Sequence, residues 1–170
     1  PRSTLFPYTT LFRSRVMPTA AAARKALEYG LSGMEFASGI PGSIGGAAYM
    51  NAGAYGGEMA KIIVSATTCD AKGDIIVHSI KDMGYGYRHS PFMQNGEVIL
   101  DITLSLKPGN QKDIEALMKD LNQRRATKQP LEKRSAGSTF KRPDGHFVGQ
   151  MLEELGLKGF SVGDAQVSEK

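Results

Sequence analysis

The densest group of residues able to support chemistry is Gly39-Ile40-Pro41-Gly42-Ser43-Ile44-Gly45-Gly46-Ala47, which continues into Met50-Asn51-Ala52-Gly53-Ala54-Tyr55-Gly56-Gly57. A glycine inside a regular element weakens it by roughly 0.5–1 kcal/mol against alanine, so this density argues for a ligand lying against bare main chain rather than for packing. Pro41 stiffens the entry, and Ser43 is placed to cap a short helix beginning near Ile44. Free N–H groups at such a start are the usual receptor for phosphate. A buried tight turn packed on a sheet is the other reading of the same glycines.

Two further clusters carry reactive side chains. In Tyr85-Gly86-Tyr87-Arg88-His89-Ser90, followed by Pro91, an arginine sits among aromatic residues. It is suited to a carboxylate or a phosphate, or equally to a surface ion pair. In Ser135-Ala136-Gly137-Ser138-Thr139-Phe140-Lys141-Arg142-Pro143, small residues let the backbone come close and can expose the Ser138 hydroxyl. Ser138 also reads as an ordinary turn or cap serine.

Several familiar sites are excluded. The loop spacing G-x-x-G-x-x-G-G is not the dinucleotide fingerprint G-x-G-x-x-G, no strand precedes it, and no Walker lysine follows it. His78, His89 and His146 are too scattered for a zinc site, and no metal is expected. There is no nucleophile elbow G-x-S-x-G. A phosphate-type loop without nucleotide-hydrolase machinery leaves a dinucleotide or a nucleotide-sugar as the ligand class.

The elements that must position these residues follow from periodicity and punctuation. Thr19 is the expected N-cap of a helix over Ala20–Tyr29, with Gly30 ending it. Ser32-Gly33-Met34-Glu35 has the spacing of a capping box, and Ala47–Asn51 continues the glycine loop as a short helix. Ile62–Thr68 and Ile75–Ile80 read as strands joined by a hairpin at Asp70-Ala71-Lys72-Gly73-Asp74. Glu97–Lys107 is a third strand, with Val98, Leu100, Ile102, Leu104 and Leu106 alternating on one face. After the break at Pro108-Gly109-Asn110, Asp113–Arg125 is an amphipathic helix and Phe147–Leu155 the last one. The fold class is α+β, with a domain boundary near residue 110.

Composition sets the outer limits. The 170 residues carry a net charge of +4 and an ordinary apolar fraction, which suits a globular domain with an anionic small ligand. The single Cys69 excludes an internal disulfide framework and points to a reducing cytoplasm. No apolar run reaches the ~20 residues of a membrane span, so no membrane partner is expected. Residues 1–14 repeat Thr-Leu-Phe at Thr4–Phe6 and Thr10–Phe12 and resemble a translated adaptor, so they are expected to be a non-native leader outside the fold.

Taken together, these motifs resemble the UDP-N-acetylenolpyruvoylglucosamine reductase (MurB) family. The resemblance is carried by Gly30–Phe36, Gly39–Ala47 and Met50–Gly56, then by Tyr87-Arg88-x-Ser90, Lys128-x-Pro130, Ala136-Gly137-Ser138-x-Phe140-Lys141, Gly156-Leu157-Lys158-Gly159 and Gln166-Val167-Ser168. It implies a partial FAD-binding domain of the PCMH/VAO type over 15–110 and a partial MurB C-terminal substrate-binding domain over 111–170. It further implies FAD as cofactor, NADPH as hydride donor and enolpyruvyl-UDP-N-acetylglucosamine as substrate, in cytoplasmic synthesis of a cell-wall precursor. In that chemistry hydride passes from the flavin to C3 of the enolpyruvyl ether and carbanion character develops at C2.

Roles follow by the same resemblance. Ser138 matches the serine that protonates C2, and Arg88 the arginine that holds the substrate carboxylate. Lys128 matches a basic residue of the substrate pocket, polarising Ser138 or binding phosphate. Gly39, Ile40, Pro41, Gly42, Ser43, Ile44, Gly45, Gly46, Asn51, Ala52 and Gly53 match segments that lie along FAD. The family also has an earlier flavin-domain half and a later catalytic glutamate, so this chain is expected to be partial at both ends and to bind FAD weakly. Two alternatives remain: another FAD oxidoreductase of the same fold, or a polyanion-binding module using Arg124, Arg125, Lys128, Lys133 and Arg134. Nucleic acid is not the expected partner, because no aromatic residues interleave with that basic run.

Overall fold

β-branched and apolar residues build a four-stranded antiparallel sheet from Thr9–Phe12 (β1), Ile63–Cys69 (β2), Ile75–Ser79 (β3) and Val98–Ser105 (β4), in the order β1-β4-β2-β3. The computed structural model describes residues 17–135 and 137–170, together with the backbone of β1. The hairpin between β2 and β3 closes as expected. Asp70 Oδ1 accepts from the amides of Lys72 and Asp74, and Gly73 turns the chain at φ +93°.

Two expectations about the strands change. β1 lies inside the segment expected to be a leader outside the fold, yet it pairs with β4 from Thr9 opposite Ser105 to Phe12 opposite Ile102. Backbone pairing asks little of side-chain identity, and an open sheet edge offers N–H and C=O groups to any extended segment. The rest of residues 1–14 lies outside the described residues. On β4, the expected alternation holds for Ile102, Leu104 and Leu106 but fails at Val98 and Leu100, because Ile99 is the buried residue there. The β2–β4 register steps from Thr67 opposite Asp101 to Thr68 opposite Ile99, so Leu100 is an unpaired extra residue that reverses the phase of the strand before it.

The helices cover one face of this sheet. Thr19–Glu28 (α1) brings Ala22, Ala23 and Ala26 into the core, and Ile44–Tyr49 (α2) brings Ile44, Ala47 and Ala48. Met34, Phe36, Met59, Ile102 and Leu104 fill the space between. The expected capping box at Ser32–Glu35 forms only in part: Glu35 Oε2 accepts from the Gly33 amide at 2.8 Å, whereas no side chain caps the 3-10 turn Glu35–Ala37.

Gln111–Lys128 (α3) starts where Gln111 Nε2 donates to the Glu28 carbonyl at the end of α1. The chain forms two compact units that divide between Asn122 and Gln123, inside α3, rather than near residue 110. The reason is burial: Ile114 and Met118 join the first unit's core. Within the second unit, Val148–Glu154 (α4) is followed by a two-residue ladder of Ser161–Val162 with Ala165–Gln166. Among the described residues, no helix is long and apolar enough to cross a membrane.

Candidate functional site

The glycine-rich segment is anchored at its start by α1. Pro18 occupies the cap position expected for Thr19. Thr19 is instead fully buried and donates both its amide (2.9 Å) and its Oγ1–H (3.1 Å) to the Gly42 carbonyl. The Ile44 amide in turn donates to Met17. Gly42 sits at φ +111°, and a Cβ there would meet nothing within 4 Å, so conformation rather than crowding requires glycine. Ser43 caps α2 as expected, its Oγ accepting from the Gly46 amide at 3.2 Å.

This arrangement fits a phosphate-bearing cofactor approaching the main chain. Among the described residues, the amides of Gly42, Ser43 and Gly45 have no hydrogen-bond partner. Ser43, Gly45, Gly46 and Tyr49 line one side of a groove of about 440 Å³, with Glu97, Val98 and Ile99 on the other. Pro41 is exposed and Gly39 half-buried. Ile40 packs against the core and Ile44 is 1% exposed, so any ligand contact by Ile44 runs through its backbone.

Two of the later glycines, Gly53 and Gly57, answer to packing, against the expectation that none would, whereas Gly56 at φ +82° has nothing within 4 Å of a Cβ. A Cβ on Gly57 would lie 2.5 Å from the Phe36 ring, and one on Gly53 would lie 2.6 Å from the Gly57 carbonyl across a two-residue ladder. Ala52 is tied into the same turn by its amide to Ala47 and its carbonyl from Met59. At both glycines protein atoms occupy the space that a side chain would need.

Arg88 is held by that turn. Its Nη1 donates to the Asn51 carbonyl at 3.1 Å and its Nη2 to the Gly53 carbonyl at 2.7 Å, while its guanidinium lies over the Tyr87 ring, 5.0 Å from the centroid. Gly86 and His89 exchange both backbone hydrogen bonds, so Tyr87 and Arg88 form a tight turn with Arg88 at φ +52°. The buried Ser90 hydroxyl donates to the Tyr49 carbonyl at 2.6 Å. The structure thus brings Arg88, Asn51 and Gly53 together, although 35 residues or more separate Arg88 from its partners.

One polar cluster escaped the sequence reading. Thr68 on β2, His78 on β3 and Glu97 before β4 meet around the Glu97 carboxylate: Thr68 Oγ1 donates to Oε2 at 2.5 Å, and His78 Nε2 lies 2.6 Å from the same oxygen. The Thr68 hydrogen bond, and then His78, hold the Glu97 carboxyl below its ordinary range, although burial opposes this. The only available signal was the strand register, which places Thr68 between Ile76 and Ile99.

In the second unit, Lys128 is the last residue of α3 and is exposed. Ser138 is also exposed, next to Gly137 at φ +78°, whose amide donates to Ser135 Oγ at 3.1 Å. Among the described residues no hydrogen bond joins Lys128 to Ser138, so the expected polarisation of the hydroxyl is not made here. Ala136 lies outside the described residues. No group of three or more potential ligands for a metal occurs among those described.

Comparison with known proteins bears on both units. Residues 18–79 match the model of an FAD binding domain, and residues 129–170 match the C-terminal domain of UDP-N-acetylenolpyruvoylglucosamine reductase. The enzyme of that name from Clostridium kluyveri is 56% identical over 145 residues, which is 85% of this chain and 48% of that protein. Over most of its length the chain is similar to MurB proteins. The Agathobacter rectalis MurB is 50% identical over 151 residues, covering 89% of this chain and 48% of that protein. The crystal structure of Thermus caldophilus MurB superposes with a TM-score of 0.80 at 37% identity, over 89% of this chain and 55% of that one. The chain spans about half the length of the curated MurB relatives it matches. Its architecture is accordingly α+β, an FAD-binding segment followed by a MurB C-terminal segment.

Proposed function

We propose that this chain carries cofactor- and substrate-binding parts of a cytoplasmic flavoenzyme that reduces enolpyruvyl-UDP-N-acetylglucosamine to UDP-N-acetylmuramate with NADPH. One observation supports this most: Arg88 is fastened to the same segment, Asn51 to Gly53, that follows the cofactor-type loop Gly39–Gly46. Similarity to MurB proteins suggests the identity of the ligands.

The loop amides of Gly42, Ser43 and Gly45 would receive the FAD pyrophosphate, and bound FAD supplies hydride transfer. Arg88 takes the substrate carboxylate. Charge developing beside that carboxylate needs a fixed cation, and a guanidinium can hold two oxygens at once. Ser138 supplies the proton to C2, which a hydroxyl can do toward a strongly basic carbanion. Lys128 contributes positive charge to the substrate pocket.

Titration of the isotope-labelled chain with FAD tests the first part. Amide signals of Gly42, Ser43, Gly45 and Gly46 are expected to shift, with those of Gly53 and Gly57 moving less. Unmoved signals at 42–46 in saturating FAD would overturn the assignment.

A further inference from the structure

Asn51 is 1% exposed, and a buried amide side chain requires partners for both of its ends. Its Oδ1 accepts from the Ala60 amide at 2.9 Å, and its Nδ2 donates to the Gly86 carbonyl at 2.9 Å, with Glu58 Oε2 at 3.5 Å. Its own carbonyl accepts from Arg88. One residue therefore holds both the base of the Tyr87–Arg88 turn and the guanidinium at its tip.

The backbone adds a second line of argument. Asn51 stands at φ +43° and Arg88 at φ +52°. Asparagine tolerates the left-handed region, and its adoption here sets the direction of the carbonyl that meets Arg88. Arginine has no such tolerance, so its conformation persists only because surrounding bonds over-determine it. Those bonds are the Gly86–His89 pair, the Ser90 hydroxyl on the Tyr49 carbonyl, and the Asn51 side chain.

We propose that Asn51 is a positioning residue for Arg88 rather than a side-chain ligand of the cofactor. This rests on the reading that Arg88 takes the substrate carboxylate. A guanidinium has five N–H donors. Committing one to Asn51 and one to Gly53 fixes its rotamer before any ligand arrives, and the others remain for a carboxylate that then binds with less ordering to supply.

The test uses the 170-residue chain, its Arg88 Nη resonances and the variant Asn51→Gly, since glycine accepts φ +43° while losing both side-chain bonds. Wild-type Arg88 is expected to show two resolved Nη signals in slow exchange. In Asn51→Gly their exchange should rise at least about tenfold, a change from restrained to freely rotating side chain. Titration with enolpyruvyl-UDP-N-acetylglucosamine should shift the wild-type Nη signals, and Asn51→Gly should weaken that apparent affinity by about tenfold or more. Arg88 signals that stay restrained in Asn51→Gly would overturn the proposal. Wild-type signals that are restrained but indifferent to the substrate would overturn the carboxylate reading and leave the positioning intact. Should Asn51→Gly not fold, exchange of the wild-type Asn51 Nδ2 protons decides: slow exchange supports the tie to Gly86, and exchange at the rate of a free amide overturns it.

Discussion

The two units hold their candidate residues in opposite ways. Among the described residues, every buried side chain lies at or before Leu121, and Arg88 emerges from a turn bonded to that packed scaffold. From Gln123 onward no described residue is buried, and Phe140, Phe147 and Phe160 are each more than half exposed. Local backbone bonds hold that unit instead, such as Gly159 to Val167 and Val167 to Phe160. The Arg88 guanidinium is bonded to a packed scaffold, whereas among the described residues the exposed Ser138 hydroxyl has no hydrogen-bond partner. Precise placement of a candidate side chain in this chain therefore comes from the burial around it.

The difference can be broken most sharply by truncating one apolar side chain in each unit. Leu104→Ala, at a fully buried position, is expected to lower unfolding free energy by about 2–5 kcal/mol in urea. Phe160→Ala, at a residue 56% exposed, should stay within about 0.5 kcal/mol. Equal losses would show that the second unit has packing of its own.

Acid should act on the first unit through Glu97. Because the folded carboxyl titrates below its ordinary range, the unfolded chain takes up that proton first. The stabilisation is present above the usual glutamate range and is lost as pH falls through it toward the folded value. Urea unfolding at a series of pH values should therefore show an acid limb that Glu97→Gln flattens. An unchanged limb would remove Glu97 from the account.

The smallest effect concerns Tyr85. Among the described residues its buried hydroxyl has no hydrogen-bond partner, and burial pushes the phenol above its usual range. Tyr85→Phe removes that unsatisfied group while keeping the edge-on contact with Phe92, so the thermal midpoint should hold or rise, by no more than about 1 kcal/mol in stability. A clear loss would mean that the hydroxyl has a partner the packing argument overlooks.

Much of this was readable in the residues themselves. The positions of β2 and β3, the Asp70–Asp74 hairpin, the Ser43 cap and the glycine at position 30 follow from local chemistry that acts over a few residues. The bulge at Leu100 was not readable, because an alternating run looks the same whether or not its partner strand skips a residue. The Thr68–His78–Glu97 cluster was hidden for a related reason: its members approach only through sheet register.

The sequence by itself carried the resemblance to the family, the glycine-rich loop and the choice of Arg88, Lys128 and Ser138 as candidate residues, since those are matters of residue type and order. Tertiary structure alone decided which glycines serve packing and which face open space, because that depends on what the fold places 2.5 Å away. It also moved the unit boundary into α3, where Ile114 and Met118 reach a core assembled mostly from residues far earlier in the chain. And it joined Asn51 to Gly86 and Arg88, through hydrogen bonds that no spacing encodes.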